Sequence, residues 1–371
     1  MKRALCCLLS LLLCCGFALT AAADADTATE KTLNVISFNV DGLPVPAFLS
    51  STKRPAREAT RLIAQQVNAA DCDVLCAQED FNFHGVLSRE LELKNRTVTS
   101  GPAVIGDGLN IFSRYPIYNV RRVAWDAAYG VFDCGSDELT PKGILVCTVE
   151  IEDGVFIDVY TLHADAWEDD DSMLAKAAQF DQLKALIDDY SGTDRAVLLT
   201  GDFNTNYSTC RDGYKAGRYT VDLCQKLIDN FVSNGFRDAW IEANTAGNYE
   251  FTYAEMREKY GCDYPRTWDT LDHVYYRDGA GVQLTLTDAF YDDMDCDGMT
   301  WQGHLSDHAA LRTSFKVSID KTQTKAPDTL TKERAHPLRS FSGAVISIGK
   351  TLRTVFAHLP DLWEKGIGWL K

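Results

Sequence analysis

Residues 196–204, A-V-L-L-T-G-D-F-N, run from an apolar segment into a polar tip. Ala196–Leu199 lies between Arg195 and Gly201 and has the pattern of a buried strand. Asp202 and Asn204 follow two residues apart, so on extended backbone they face the same side. A carboxylate and an amide delivered together from a strand end suit a hard divalent cation or a phosphoryl group. Gly-Asp-x-Asn is also a common turn, so its meaning depends on what other segments bring to the same place.

Several segments end in the same way. Thr32–Val40 alternates as a strand and closes S-F-N-V-D-G, with Asn39 at the tip before Gly42 and two prolines break the backbone. Arg54–Ala70 reads as a helix with Ala59, Leu62, Ile63 and Val67 on one apolar stripe. Asp73–Ala77 is a second buried strand, ending in Gln78-Glu79. A helix around Val86–Leu93 precedes the strand Leu109–Phe112. Ile144–Ile151 and Val155–Leu162 read as a hairpin around Glu152-Asp153-Gly154, and the second strand delivers His163. Helices over Ser172–Tyr190 and Val221–Asn234 flank the 196–204 strand. Thr270–Arg277 carries Asp272 inside a strand, Gln283–Thr287 follows, and Ser306-Asp307-His308 runs into a last strand. Each polar tip alone has a plain reading as a cap, a turn or a core histidine. Together they place metal- and proton-handling groups after apolar run upon apolar run. The loose alternation of strand and helix, with hairpins and no G-x-G-x-x-G after a strand, favours an α/β sandwich of mixed sheets over a doubly wound nucleotide fold.

In order and wording these blocks resemble the endonuclease/exonuclease/phosphatase superfamily, the deoxyribonuclease I-like fold: S-F-N-V (37–40), A-Q-E (77–79), L-H (162–163), G-D-F-N (201–204), L-D-H (271–273) and S-D-H (306–308). The resemblance implies a four-layer α-β-β-α sandwich with a Mg²⁺ site (Mn²⁺ or Ca²⁺ as substitutes) in a cleft at the sheet edges. It implies that Asn39, Glu79 and Asp307 serve the metal, Glu79 as direct ligand. Asp202 and Asn204 match the pair that orients nucleophile and phosphate. Asp307 matches the carboxylate that orients His308, the general base. His163 matches the histidine that contacts the phosphate or assists the leaving group, and Asp272 a supporting acid. Within the superfamily, C-G-S-D (134–137) followed by K-G (142–143), and D-G-L-N-I-F-S-R-Y-P-I (107–117), resemble the bacterial neutral sphingomyelinases. That makes Asp137 and Lys142 substrate-binding candidates beside Asn204, with capping of a loop and a strand as their plain reading. Ala164-Asp165-Ala166 matches that branch only in part.

Composition bounds the substrate. The chain of 371 residues has a net charge of −16. Residues 1–23 contribute +2 and residues 321–371 contribute +5, which leaves −23 on residues 24–320. Such a body repels a polyanion, which disfavours a nuclease sharing the same blocks. An inositol-phosphate phosphatase is a further alternative, but its Trp-x-x-Asp-Arg-Ile-like signature is absent and the region reads T-W-D-T-L-D-H (267–273). A binding module on the same scaffold is disfavoured because the catalytic positions are filled. The acidic clusters Glu168–Asp171 and Asp292–Asp297 read as solvated loops.

Residues 1–23 have a basic start, an apolar run and Ala21-Ala22-Ala23, which is the pattern of a cleaved export signal. Eight cysteines remain after it, so disulfides are plausible, and Cys76 reads as a small buried hydrophobe. The expected organisation is a signal peptide (1–23), a catalytic domain (24–317), a linker (318–340) and a basic amphipathic helical tail (341–371). In the tail, Phe341, Val345, Ile348, Leu352, Val355 and Leu359 form a stripe, with Lys350 and Arg353 off it. That tail, and the aromatic segment Trp125–Phe132 read as an exposed hairpin, are candidate membrane contacts; packing on the body or on a partner is the other reading of the tail.

Overall fold

The computed structural model describes residues 28–48, 54–130, 134–251, 255, 258, 271–294, 304–334, 348–349 and 352–355. The strands are β1 (Ala28–Asn39), β2 (Val74–Gln78), β3 (Asn95–Arg96), β4 (Asn110–Ser113), β5 (Ile117–Ala124), β6 (Gly143–Glu152), β7 (Val155–His163), β8 (Ala196–Asp202), β9 (Arg237–Asp238), β10 (Asp272–Arg277), β11 (Val282–Asp292) and β12 (Ala310–Asp320). The helices are α1 (Ala56–Ala69), α2 (His84–Glu90), α3 (Asp170–Tyr190), α4 (Tyr207–Lys215), α5 (Leu223–Asn230) and α6 (Ala239–Thr245).

The strands form two six-stranded sheets, ordered β11-β12-β1-β2-β4-β3 and β5-β6-β7-β8-β10-β9. Each sheet is mixed. β1 and β2 run parallel in the first, β7 and β8 in the second, and the remaining neighbours are antiparallel. The α/β sandwich of two mixed sheets expected from the sequence is therefore the observed architecture.

The period-2 alternation of the strands decides which face each side chain takes. On β1, Leu33 and Val35 belong to the cluster between the sheets, while Ile36 and Phe38 belong to the cluster under α1. On β2, Val74 and Cys76 face inward and Leu75 and Ala77 outward. α1 closes the outer face with Ile63, Ala64 and Val67, all buried. α3 covers the second sheet with Met173, Phe180, Leu183 and Ile187, spaced at helical intervals. Its start is fixed by Asp169, whose Oδ1 accepts the Ser172 N–H at 3.1 Å, with Asp170 and Asp171 in the first turn favoured by the helix dipole. Each fully buried large side chain of these clusters contributes roughly 2–3 kcal/mol of hydrophobic burial.

Among the cysteines described, Cys72, Cys76, Cys147, Cys210 and Cys224 are buried free thiols, so the expected disulfides are not formed among these five. Cys76 is the small hydrophobe its setting suggested. β12 continues to Asp320, into the segment read as linker. Beyond it, Thr331 makes two hydrogen bonds with Asn119, whose backbone N–H donates to the Thr331 carbonyl at 2.8 Å and whose side-chain Oδ1 accepts the Thr331 N–H at 2.8 Å. This ties the chain after β12 to the edge strand β5. Most of 341–371 lies outside the described residues, with helical backbone at 348–349 and 352–355. No helix among the described residues is long and apolar enough to cross a membrane.

Candidate active site

Both parallel pairs end on the same side of the molecule. In the first sheet Asn39 is in register with Gln78, so Glu79 is the next residue past the β2 end. In the second, His163 is in register with Asp202, and Asp202 with Asp272 at the start of β10. The Asn39 amide bridges the two sheets at this end: its Nδ2 donates to Glu79 Oε1 at 3.0 Å and to Asp202 Oδ2 at 3.1 Å. Around that same Asp202 oxygen stand His163 Nε2 at 3.4 Å and His308 Nε2 at 3.6 Å. Ser306 holds the last segment in place, donating from Oγ to the Asn39 carbonyl at 2.6 Å and accepting the His308 N–H at 3.1 Å. Asn39, Glu79, His163, Asp202, Asp272 and His308 thus meet in one place.

Asn204 reaches the site by a different backbone route from the one expected. β8 stops at Asp202, and Asn204 has φ 46°, a left-handed conformation that Asn tolerates. Its N–H donates to Asp202 Oδ1 at 2.9 Å and its Nδ2 to the Ala164 carbonyl at 3.1 Å, so a tight turn rather than a shared strand face couples the pair. The glycine of G-D-F-N is required here. A Cβ on Gly201, which sits at φ 141°, would come within 2.3 Å of the Leu162 carbonyl of the neighbouring strand.

The carboxylate that orients His308 is Asp272, not Asp307 as the resemblance implied. His308 Nδ1 donates to Asp272 Oδ2 at 2.7 Å, while Asp307 is exposed and its charge acts on His308, Glu79 and Asp41. The reason is steric and local. Adjacent residues at a chain bend diverge, whereas β10 starts directly opposite the β8 end and aims its first side chain at the imidazole. Burial opposes a charged His308, yet the Asp272, Asp202 and Asp307 carboxylates overcome it and raise its pKa well above the ordinary imidazole value. Burial pushes Asp272 up to about 6, against the pull of His308. Burial also works on Asp202, but His308, His163 and Lys142 hold it below the usual carboxylate range. His163 is neutral, brought down to about 3 by burial and by the Lys142 charge, and its buried Nδ1 has no partner among the described residues.

Glu79, Asp307 and a third carboxylate, Asp41, repel one another, with Glu79 and Asp41 half-buried and Asp307 exposed. Burial, then Asp307 and Glu79, raise Asp41 to about 8, and burial followed by Asp307 raises Glu79. Both Asp41 and Glu79 adopt left-handed backbone, φ 44° and 54°, a strained conformation that persists only where the surroundings impose it. Gly42 makes this possible, since a Cβ there would meet the Glu79 carbonyl at 2.3 Å. Mutually repelling carboxylates are the type of oxygen donor that a hard divalent ion takes. Among the described residues, the group of three such side chains whose ligand atoms lie within 4.8 Å of one another is Asp202, Asp272 and His308. There the imidazole Nδ1 is engaged with Asp272, so the grouping is a carboxylate–imidazole–carboxylate chain. Asp41 escaped the sequence reading because D-G after S-F-N-V reads as a plain chain break.

The Lys142 ammonium forms a buried ion pair with Asp137 and donates to the Ala164 carbonyl at 3.2 Å. Asp137 Oδ2 also accepts the Ala166 N–H at 2.7 Å. These two residues therefore grip the 163–167 segment while placing a positive charge that acts on Glu79, His163 and Asp202. Segment 125–130 has no hairpin strands. The Trp125 indole donates to the His163 carbonyl at 2.7 Å and the Tyr129 N–H to Asp165 Oδ2 at 2.7 Å, so this segment is tied to the same loop; residues 131–133 lie outside the described ones.

The model of the Endonuclease/Exonuclease/phosphatase family matches residues 36–308, from β1 to the last site histidine. The chain belongs to this family. A sphingomyelinase of Mycobacterium tuberculosis (strain ATCC 25618 / H37Rv) is 27% identical over 303 residues, covering 79% of this chain and 54% of that protein, as is one of Mycobacterium bovis. The family member described here thus spans about half the length of these relatives. Among solved structures, the human Nocturnin catalytic domain with bound sulfate superposes with a TM-score of 0.51 at 18% identity, covering 78% of this chain and 97% of that one. A humanized D. rerio TDP2 gives 0.51 at 16%, covering 76% and 98%. At such identity the likeness concerns the fold, which is the deoxyribonuclease I-like sandwich of the family.

Proposed function

We propose that the protein is an exported, divalent-metal-dependent phosphodiesterase that hydrolyses the headgroup phosphodiester of a sphingomyelin-like lipid, a phospholipase C type of cleavage. One observation carries the reading. The Asp272–His308 pair and the Asn39–Asp202 bond between the sheets assemble a water-activating base, with Glu79 bonded to the same Asn39 amide. Glu79, Asp41 and Asp307 would hold the ion, with Mg²⁺ the first candidate. When bound, it supplies polarisation of a phosphoryl oxygen and neutralisation of charge.

The chain's own groups supply the rest. Asp272 fixes the His308 tautomer with Nδ1 protonated, leaving Nε2 to take the proton of the attacking water. Asp202 and Asn39 orient that water and the phosphate, and Asn204 bounds the opposite side. A neutral His163 contacts the phosphate through one N–H, which suits it to orientation rather than proton donation. The Lys142 charge balances the phosphate. Support for a lipid comes from the sphingomyelinase relatives and from the acidity of the body, which disfavours nucleic acid. Support for export is the leader pattern of residues 1–23, and for a peripheral membrane contact the basic stripe of 341–371.

The test compares phosphocholine release from sphingomyelin vesicles, nicking of plasmid DNA and phosphate release from a soluble inositol phosphate, with Mg²⁺ and with EDTA. Sphingomyelin hydrolysis that EDTA abolishes and Mg²⁺ restores is expected. Nicking of DNA at a higher kcat/KM than lipid cleavage would overturn the lipid assignment.

A further inference from the structure

On the covered face of α3, Met173, Phe180, Leu183 and Ile187 are joined by a residue that does not belong to an apolar stripe. Lys176 is fully buried and, among the described residues, makes no ion pair. Its ammonium donates to two backbone carbonyls, Trp167 at 2.7 Å and Asn204 at 2.8 Å. Burying a lysine without a carboxylate partner is costly, and the same stripe filled by Leu or Met would be the ordinary solution.

The two acceptors share a second property. Trp167 has φ 67° and Asn204 φ 46°, so both carbonyls belong to non-glycine residues in the left-handed region. For a bulky residue such as Trp that conformation is strained and must be imposed from outside. Trp167 cannot be held by its own packing, because its side chain is 64% exposed. Asn204 is the residue whose N–H binds Asp202 and whose amide binds the Ala164 carbonyl. One ammonium therefore fastens the end of the 163–167 segment to the turn that carries Asn204.

We propose that Lys176 is a positioning residue of the active site, a clamp that sets the Asn204 turn and the Trp167 loop against each other in the segment that follows His163. It touches no reacting atom and acts through Asn204. The role at Asn204 rests on the phosphodiesterase reading, whereas the role at Trp167 does not.

Lys176→Met keeps the length and apolar stem and removes the donors. With unchanged far-ultraviolet circular dichroism, kcat on bis(p-nitrophenyl) phosphate with Mg²⁺ is expected to fall by roughly tenfold or more while KM stays within about twofold, as for lost transition-state alignment. Lys176→Arg, which keeps the charge and several donors, is expected to recover most of that loss. In parallel, the Trp167 emission, taken as the difference from Trp167→Phe, is expected to gain a fast local depolarisation in Lys176→Met. This readout needs no turnover, so it separates failure of the clamp from failure of the proposed activity. Should Lys176→Met not fold, the pair Trp167→Gly and Trp167→Ala decides, since an exposed side chain can be removed without unfolding. With the clamp imposing left-handed backbone, the Gly variant melts at the higher temperature. Unchanged kcat and depolarisation in Lys176→Met, or an Ala variant at least as stable as Gly, would overturn the proposal.

Discussion

At the scale of single residues, His308 and Asp41 carry opposite electrostatic problems. His308 sits among carboxylates that favour its proton, so as a base it must first be emptied. A base with a raised pKa loses activity as pH falls through that pKa, which places the acid limb of kcat/KM on the alkaline side of an ordinary imidazole. Asp272→Asn removes the carboxylate bonded to Nδ1. Its acid limb is expected at lower pH than that of the wild type, with kcat reduced roughly 10²–10⁴-fold; a limb that does not move would remove Asp272 from the orienting role. Asp41 has the reverse difficulty. Its carboxyl binds a proton more tightly in the folded protein than in the unfolded chain, because burial and two neighbouring carboxylates raise it to about 8. The metal-free protein therefore loses stability as pH climbs from about 4 toward 8. Asp41→Asn is expected to stabilise the metal-free protein at neutral pH by about 1–3 kcal/mol, measured by urea unfolding in EDTA, and to weaken Mg²⁺ binding in calorimetry. Most of these residues were legible, since Asn39, His163, Asp202 and Asp272 end or begin a strand and Glu79 and His308 lie within two residues of one. Asp41 and the partner of His308 were not, because neither a left-handed turn nor the aim of a side chain is written in spacing.

At the scale of elements, the site loops rest on buried polar struts. His273 donates from Nδ1 to Asp238 Oδ2 at 2.7 Å and from Nε2 to the Thr205 carbonyl at 2.8 Å, directly after Asn204. Neither acceptor can donate, so the ring is doubly protonated, and although burial opposes the charge, Asp238 raises its pKa. Stability from this raised group is fully present below the unfolded value near 6.5 and is lost as pH rises through the folded pKa. Melting measured between pH 6 and 10 is expected to show a decline on that flank which His273→Gln flattens, with a cost of about 1–3 kcal/mol at low pH. The elements that the sequence revealed are those with long apolar periodicity, α1, α3 and the central strands. β5 and α6 escaped it. β5 is half-exposed along most of its length, with a register shift between Tyr118 and Arg121, so its alternation is blurred. α6 is a short helix set by an Asp238 cap rather than by a stripe, its Ile241 N–H reaching Asp238 Oδ1 at 3.1 Å.

At the scale of the whole molecule, two sheets each contribute one parallel pair, and both pairs open on the same side. The architecture was legible because each polar tip follows an apolar run; the crossing of the two sheets at Asn39 and Asp202 depends on long-range packing that no local pattern encodes. A cation bound by the folded state alone must stabilise it, by about 2.7 kcal/mol at a hundredfold excess over Kd. A melting temperature that rises with Mg²⁺ in the wild type, and far less in Glu79→Gln, is the expected signature. The most direct test of the whole account is the Mg²⁺-dependent release of phosphocholine from sphingomyelin by wild type and His308→Ala, both verified as folded and Mg²⁺-binding. The account predicts a loss of roughly 10³-fold or more in kcat with Mg²⁺ affinity retained; a His308→Ala variant that turns over within tenfold of wild type would contradict it.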